Sequence, residues 1–172
     1  MEAFRIYVAM ITGICDGLAY IHHQGYLHRD LKMSNVLVQN GIPKICDAGL
    51  AKMVHLTTGT FVGTITHMAP EVMQGKLYTF SADVYSLGII LWETWYGRDA
   101  YKNDEFKNVS PINLVEYVTH GKRHTFKKFK PWSRLENLIC KCWHHDDRLR
   151  PEVCAIKKEI LDIEKEVNIV TR

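Results

Sequence analysis

Apolar positions along this chain follow two different periods. From Phe4 to Ile21 they recur at gaps of three and four (Phe4, Val8, Ile11, Ile14, Cys15, Leu18, Ile21), which lines one face of a helix ended by Gly25. Asn35-Val-Leu-Val38 and Pro43-Lys-Ile-Cys46 are short apolar runs either side of Gln39-Asn-Gly41, and Asn-Gly between such runs predicts a tight β-hairpin. Ala48 to Pro70 is rich in Gly and Thr without a sustained period, so a long loop is predicted there, of a length that tends to be functional. Ser81-Ala-Asp83 then predicts the cap of a strongly apolar helix, Val84 to Tyr96, that should cross the core. Gly97 to Asn113 reads as a polar surface connection. Ile112 to Thr119, Leu135 to Trp143 and Pro151 to Val167 close the chain as helices, the last with proline in its first turn. The pattern predicts a mainly α fold with one small sheet.

Composition narrows the function classes. The chain has 172 residues, 47% hydrophobic and 24% charged, as expected of one globular unit with its own core. Lys and Arg number 22 against 19 Asp and Glu, a net charge of +3 with the basic residues scattered, so no nucleic acid partner is expected. The longest apolar run, Tyr85 to Tyr96, is broken by Ser86, Gly88, Glu93 and Thr94, so no membrane span is expected, and the opening Met-Glu-Ala-Phe-Arg does not read as a signal peptide. Five cysteines are an odd number, and Cys15, Cys140, Cys142 and Cys154 fall in helical patterns, which predicts buried thiols in a cytosolic protein. Cys140-Lys-Cys142-Trp143-His144-His145 offers four metal-capable side chains, but their spacing does not suit zinc, and a helix end with a buried Cys142-Trp143 step is the simpler reading.

The candidate chemistry lies in His28-Arg29-Asp30-Leu31-Lys32-Met33-Ser34-Asn35. Transfer of a phosphoryl group to a hydroxyl needs a carboxylate to orient the hydroxyl and take its proton, together with a ligand for the metal that neutralises the phosphates; Asp30 and Asn35 have those properties. Lys32 adds a cation for the charge that develops on the transferring group. Asp47-Ala48-Gly49 follows the hairpin with a second carboxylate suited to Mg²⁺, and Ala69-Pro70-Glu71 closes the long loop.

These motifs, H-R-D-L-x-x-x-N, Asp-Ala-Gly in the place of Asp-Phe-Gly, and Ala-Pro-Glu, resemble those of the protein kinase superfamily over nearly the whole chain. Asp83-Val-Tyr-Ser-Leu-Gly88 resembles the opening of the central kinase helix, and Cys142-Trp143 followed by Arg150-Pro151 the end of its lobe. The resemblance implies a C-terminal kinase lobe over residues 1–172, a helical bundle with a small β-hairpin at the catalytic cleft, with the catalytic loop at 28–35 and the activation segment at 47–71. It implies ATP and Mg²⁺ as cofactors and a protein substrate. Asp30 and Lys32 are the implied catalytic residues, Asn35 and Asp47 the metal ligands, and Asn35, Asp47 and Leu37 the nucleotide side. Structural roles are implied for His28, Arg29, Thr64, Glu71, Asp83 and Arg150, with Asp83 holding the catalytic-loop backbone and Arg150 pairing with Glu71. Lys32 and the Gly63-Thr64 step are similar to serine/threonine kinases. The run Val62 to Glu71, with His67 where kinases commonly carry an aromatic, is similar to dual serine/threonine and tyrosine kinases of the tyrosine-kinase-like group. Thr57, Thr58 and Thr60 are candidate phosphosites, with Arg29 a cation suited to clamp the added phosphate. Ala48 lacks the ring that would pack under the metal-binding turn, and Met53 or Met68 is expected to fill the space.

Only one helix precedes Asp30, with no G-x-G-x-x-G loop and no Val-Ala-Ile-Lys strand; Gly13 and Gly17 lack the spacing. The expectation is a kinase fragment without its N-terminal lobe, exposing an apolar upper face. A truncated homologue acting as a regulatory or binding protein is the alternative. A small-molecule phosphotransferase would share the Asp/Asn loop but leaves Ala69-Pro-Glu71 and Arg150-Pro151 unexplained.

Overall fold

The computed structural model describes residues 2–54, 62–101, 106, 109–126 and 133–170. Helix α1 (Glu2–His23) carries the predicted apolar face, with Phe4, Tyr7, Val8, Ile11, Ile14, Cys15 and Leu18 buried. It lies against α6 (Val153–Val170), whose Val153, Ile156, Ile160 and Ile163 repeat at the same helical spacing and are buried in turn. By length and composition α1 is apolar enough to cross a membrane, yet its apolar face is taken up by this packing.

Strands β2 (Val36–Gln39) and β3 (Ile42–Ile45) form the hairpin, paired antiparallel with Val36 opposite Ile45 and Gln39 opposite Ile42. Asn40 and Gly41 sit at φ 53° and 76°, the left-handed pair a two-residue turn requires. The strands are offset by one residue from the predicted runs, because Gln39 and Ile42 pair across the turn. Two glycines let the hairpin lie directly on α1. A Cβ at Gly13 would stand 2.4 Å from Pro43 Cγ and one at Gly17 3.2 Å from Ile45 Cδ1.

The predicted long loop contains more structure than its composition suggests. Strand β4 (Lys52–Met53) pairs antiparallel with β1 (Tyr26–Leu27), so the chain after the hairpin returns to the residues just before His28. Two-residue strands carry no legible period. A short turn of helix, Ile65–His67, then leads into α2 (Pro70–Met73).

Helix α3 (Phe80–Tyr96) is buried at every position from Ala82 to Glu93 and forms the axis of the fold. It starts earlier than predicted. Thr79, not Ser81, is its N-cap residue, and it makes no side-chain cap bond, while Asp83 lies inside the first turn with its carboxylate used elsewhere. Gly97 ends the helix at φ 62° with its amide on Glu93 O. Gly88 admits α5 (Ser133–Cys142), since a Cβ there would be 2.8 Å from Cys142 Cβ. Helix α4 (Pro111–Thr119) is capped by Ser110, whose hydroxyl accepts from the Asn113 amide. The last helix begins at Val153, so Pro151 precedes it rather than sitting in its first turn.

Of the cysteines predicted buried, Cys15 and Cys142 are, with burial pushing the Cys15 thiol up to about 12, whereas Cys140 and Cys154 are exposed on the outer faces of their helices. Among the described residues no three or more His, Cys, Asp and Glu side chains come together as a metal-binding group. Leu37, Val38 and Ile42 on the hairpin are all more than half exposed.

Candidate active site

The loop from His28 to Asn35 is held from below by one carboxylate. Asp83, fully buried in the first turn of α3, accepts the backbone amides of His28 (2.9 Å) and Arg29 (3.0 Å), the Tyr78 hydroxyl (3.1 Å) and His22 Nε2 (2.9 Å). Arg29 sits at φ 70°, a left-handed conformation that costs a non-glycine residue about 1–3 kcal/mol. The amide bonds to a buried charge offset that cost, since such bonds are roughly twice as strong as neutral ones. His28 then ties the loop to the hairpin through Nε2, which donates to Cys46 O at 3.1 Å, while its Nδ1 accepts from the Asp30 amide at 3.4 Å.

Held in this way, the loop brings Asp30, Lys32, Asn35 and Thr64 together. Asp30 Oδ1 accepts from the Thr64 amide (2.8 Å) and hydroxyl (2.6 Å), and its Oδ2 lies 2.8 Å from Lys32 Nζ and 3.2 Å from Asn35 Nδ2. Asn35 Nδ2 also donates to Asp30 O at 2.8 Å, and Lys32 Nζ donates to the Thr64 hydroxyl at 2.8 Å. Burial by itself would raise the Asp30 pKa; the bonds from Lys32 and Thr64 outweigh it and hold the carboxyl below its usual range. Asp30 is therefore a stable carboxylate at neutral pH. Gly63 makes the approach of Thr64 possible, because it sits at φ 106° and a Cβ there would be 2.4 Å from Arg29 O.

Across the hairpin the Cys46 amide donates to Asn35 O at 2.9 Å, which places Asp47 at the same end of the sheet as Asn35. Asp47 is exposed at φ 59°, and its Oδ1 accepts a long bond, 3.4 Å, from the Gly49 amide. With Asn35 Nδ2 committed to Asp30, the Asn35 amide oxygen and the Asp47 carboxylate remain as acceptors, an all-oxygen set suited to a hard cation such as Mg²⁺. Leu37 stands on the same hairpin with its side chain open. Thr57, Thr58 and Thr60 lie outside the described residues, as does the side chain of Ala48, so the packing expected beneath it does too; Met68 is in the main core and Met53 is half-buried in β4.

Glu71 and Arg150 meet away from this cluster, in a fork that joins the end of the long loop to the last two helices. Arg150 Nη1 and Nη2 donate to the two Glu71 oxygens at 2.6 and 2.7 Å, and its other donors reach Ser81 O and His144 O, both at 2.9 Å. His22, Tyr78 and Glu93 are site-supporting residues that the sequence reading missed. His22 and Tyr78 bond to Asp83, and Glu93 receives His67 Nε2 at 3.2 Å. Their partners are distant in sequence or out of helical phase with them, so no periodicity marks them.

The protein kinase domain family matches residues 5–160. The chain is 37% identical over 159 residues to serine/threonine-protein kinase STY46 of Arabidopsis thaliana, covering 90% of this chain and 26% of that protein. It is 34% identical over 145 residues to the MAP kinase kinase skh1/pek1 of Schizosaccharomyces pombe, covering 81% and 40%. The RGS domain-containing serine/threonine-protein kinase A of Dictyostelium discoideum is 36% identical over 154 residues, covering 88% and 13%. The chain thus spans between about a tenth and two fifths of the length of these relatives. With a family match over nearly its whole length, this chain belongs to the protein kinase domain family.

Proposed function

We propose that this chain is the C-terminal lobe of a serine/threonine protein kinase, transferring the γ-phosphoryl group of ATP to protein hydroxyls. The observation that carries the reading is the Asp30 carboxylate, kept ionised by Lys32 and Thr64 and braced by Asn35. In this reading Asp30 orients the acceptor hydroxyl and takes its proton. Lys32, already within 2.8 Å of both Asp30 and Thr64, neutralises charge on the phosphoryl group. Asn35 and Asp47 would hold Mg²⁺ through oxygen atoms, and the ion would supply charge neutralisation to the phosphates. Leu37 and its exposed hairpin neighbours form the floor on which the nucleotide and the N-terminal lobe rest, with that lobe lying outside this sequence. The boundaries 28–35 for the catalytic loop and 47–71 for the activation segment belong to the same reading, as does phosphorylation among Thr57, Thr58 and Thr60.

The names of the relatives support serine and threonine as acceptors. The Val62–Glu71 run supports the finer likeness to the dual serine/threonine and tyrosine kinase known as dusty, of the tyrosine-kinase-like group, and so tyrosine as an additional acceptor. Free thiols at all five cysteines support a cytoplasmic setting, and the scattered basic charge supports a protein rather than a nucleic acid substrate. A second reading, a regulatory homologue acting through its surfaces, is favoured by Ala48 in the metal-binding turn and by the length of the bond from the Gly49 amide to Asp47.

The deciding experiment joins the chain to a kinase N-terminal lobe and measures Mg²⁺-dependent transfer from ATP to protein substrates. Transfer by the parent, and its loss in Asp30→Asn with an unchanged unfolding midpoint, is the expected result. Parent-like transfer in Asp30→Asn removes Asp30 from its role. No transfer by the parent on any protein substrate makes the regulatory reading the better one.

A further inference from the structure

His67 stands outside the Asp30 cluster, yet its bonds converge on the turn that completes it. Its backbone amide donates to Thr64 O at 2.9 Å, closing the Ile65–His67 turn, and its carbonyl accepts the Ser86 hydroxyl of α3 at 2.8 Å. The ring is buried and bridges two groups. Nε2 lies 3.2 Å from Glu93 Oε2 and Nδ1 lies 3.0 Å from Thr66 Oγ1. A carboxylate only accepts, so Nε2 carries hydrogen and, in the neutral ring, Nδ1 accepts from Thr66. Glu93 is fixed in its turn by the Ala100 amide, which donates to Oε1 at 2.7 Å.

We propose that His67 is a positioning residue for the phosphoryl-acceptor side of the site: through Glu93 it anchors the Thr64–His67 turn on α3, and that anchor sets the two bonds by which Thr64 orients Asp30. The inference rests on reading Asp30 as the proton acceptor. The physical argument is one of geometry. Thr64 reaches Asp30 only because Gly63 brings the backbone within contact of Arg29 O, and Gly63 has no side chain with which to hold that approach. The nearest side-chain anchor after Thr64 that reaches into the rigid central helix is the His67 ring. A phenylalanine at this position would fill the volume but leave Glu93 Oε2 buried without its donor and Thr66 without its ring partner, an imbalance that favours displacement of the turn. Glutamine keeps an amide donor for Glu93 and an acceptor for Thr66.

Hydrogen exchange on the full chain tests the anchor without requiring activity. In His67→Phe the Thr64 and His67 amides are expected to exchange roughly tenfold faster or more, while amides in the middle of α1 keep the parent rate. His67→Gln should restore much of the protection. Glu93→Gln, which keeps an acceptor for His67, should disturb Thr64 less than His67→Phe does. Parent-like protection of Thr64 in His67→Phe overturns the proposal, and so does a uniform rise over all helices, which marks a general packing role. If His67→Phe does not fold, His67→Asn, too short to reach Glu93, replaces it under the same criteria. In a two-lobe protein His67→Phe should lower kcat with the KM for ATP unchanged, because Asn35 and Asp47 keep their surroundings. A parent without phosphotransfer activity would count against the kinase reading, and the exchange result would still decide the anchor.

Discussion

Glu71 and Arg150, 79 residues apart, form a two-bond fork in which the guanidinium side chain is fully buried. The Tyr85 ring lies 5.1 Å below the guanidinium, and the carbonyl oxygens of Ser81 and His144 accept from its Nη1 and Nε. Glu71→Gln or Arg150→Met leaves one buried charge without its counter-ion, and either change should cost about 3–5 kcal/mol. The two losses should not add. A double-mutant cycle read by denaturant unfolding checks this, and coupling indistinguishable from zero would contradict the fork.

Asp30 is a carboxylate that burial would protonate and its neighbours keep charged. Lys32→Met and Thr64→Val each remove a bond that lowers its pKa and leave burial, the largest influence, in place. The Asp30 pKa should therefore rise in both variants, and most in the double variant. Any stability Asp30 contributes is present above its unfolded pKa and is lost as pH falls through the lowered folded value. Side-chain carbon NMR titration gives the test, and an unchanged or lower Asp30 pKa in Lys32→Met would refute the assignment of cause.

Gly63→Ala should damage the site more than its half-buried loop position suggests. The residue sits at φ 106° and the added methyl would meet Arg29 O at 2.4 Å, so both backbone strain and overlap oppose it. A cost of about 1–3 kcal/mol from the backbone alone is expected, accompanied by loss of the Thr64 amide bond to Asp30. Thermal unfolding together with the Thr64 amide chemical shift would show it. A variant as stable as the parent with an unmoved Thr64 shift would mean the loop tolerates a side chain there.

His124 predicts an acid limb in stability. Burial first, and Arg98 second, push its pKa down to about 4, with Glu93 pulling the other way. Its Nε2 accepts the Tyr101 amide at 2.9 Å and the ring stacks on Trp92, so the folded protein keeps it neutral. Unfolding raises the pKa back toward its ordinary value, so the unfolded chain binds the extra proton. Stability should thus be flat in this respect above about pH 6.5 and fall between there and pH 4, by up to about 3 kcal/mol. His124→Gln should flatten that limb relative to the parent. An identical slope in both proteins would assign the acid loss to other groups.

The sequence by itself determined the local features of this protein and the residue pattern of its 28–35 loop. Helical spacing from Phe4 to Leu18 specifies the buried face of α1, Asn40-Gly41 specifies the hairpin turn, and His28 to Asn35 carries the kinase residue pattern. Each of these is encoded within a few neighbouring positions, where period and turn chemistry act. Tertiary structure alone decided what holds those pieces in register. By local pattern Asp83 reads as a helix cap, and only the resemblance to kinases implied its hold on the 28–35 backbone; in the fold its carboxylate takes His22, His28 and Arg29 from more than 50 residues away. The bond of Tyr78 to Asp83 and that of His67 to Glu93 carry no local signal in the sequence. The reason is physical. A residue's helical or strand period reports which face it occupies, whereas the partner of a buried polar group is set by which other element packs against that face, and that is decided only when the core closes.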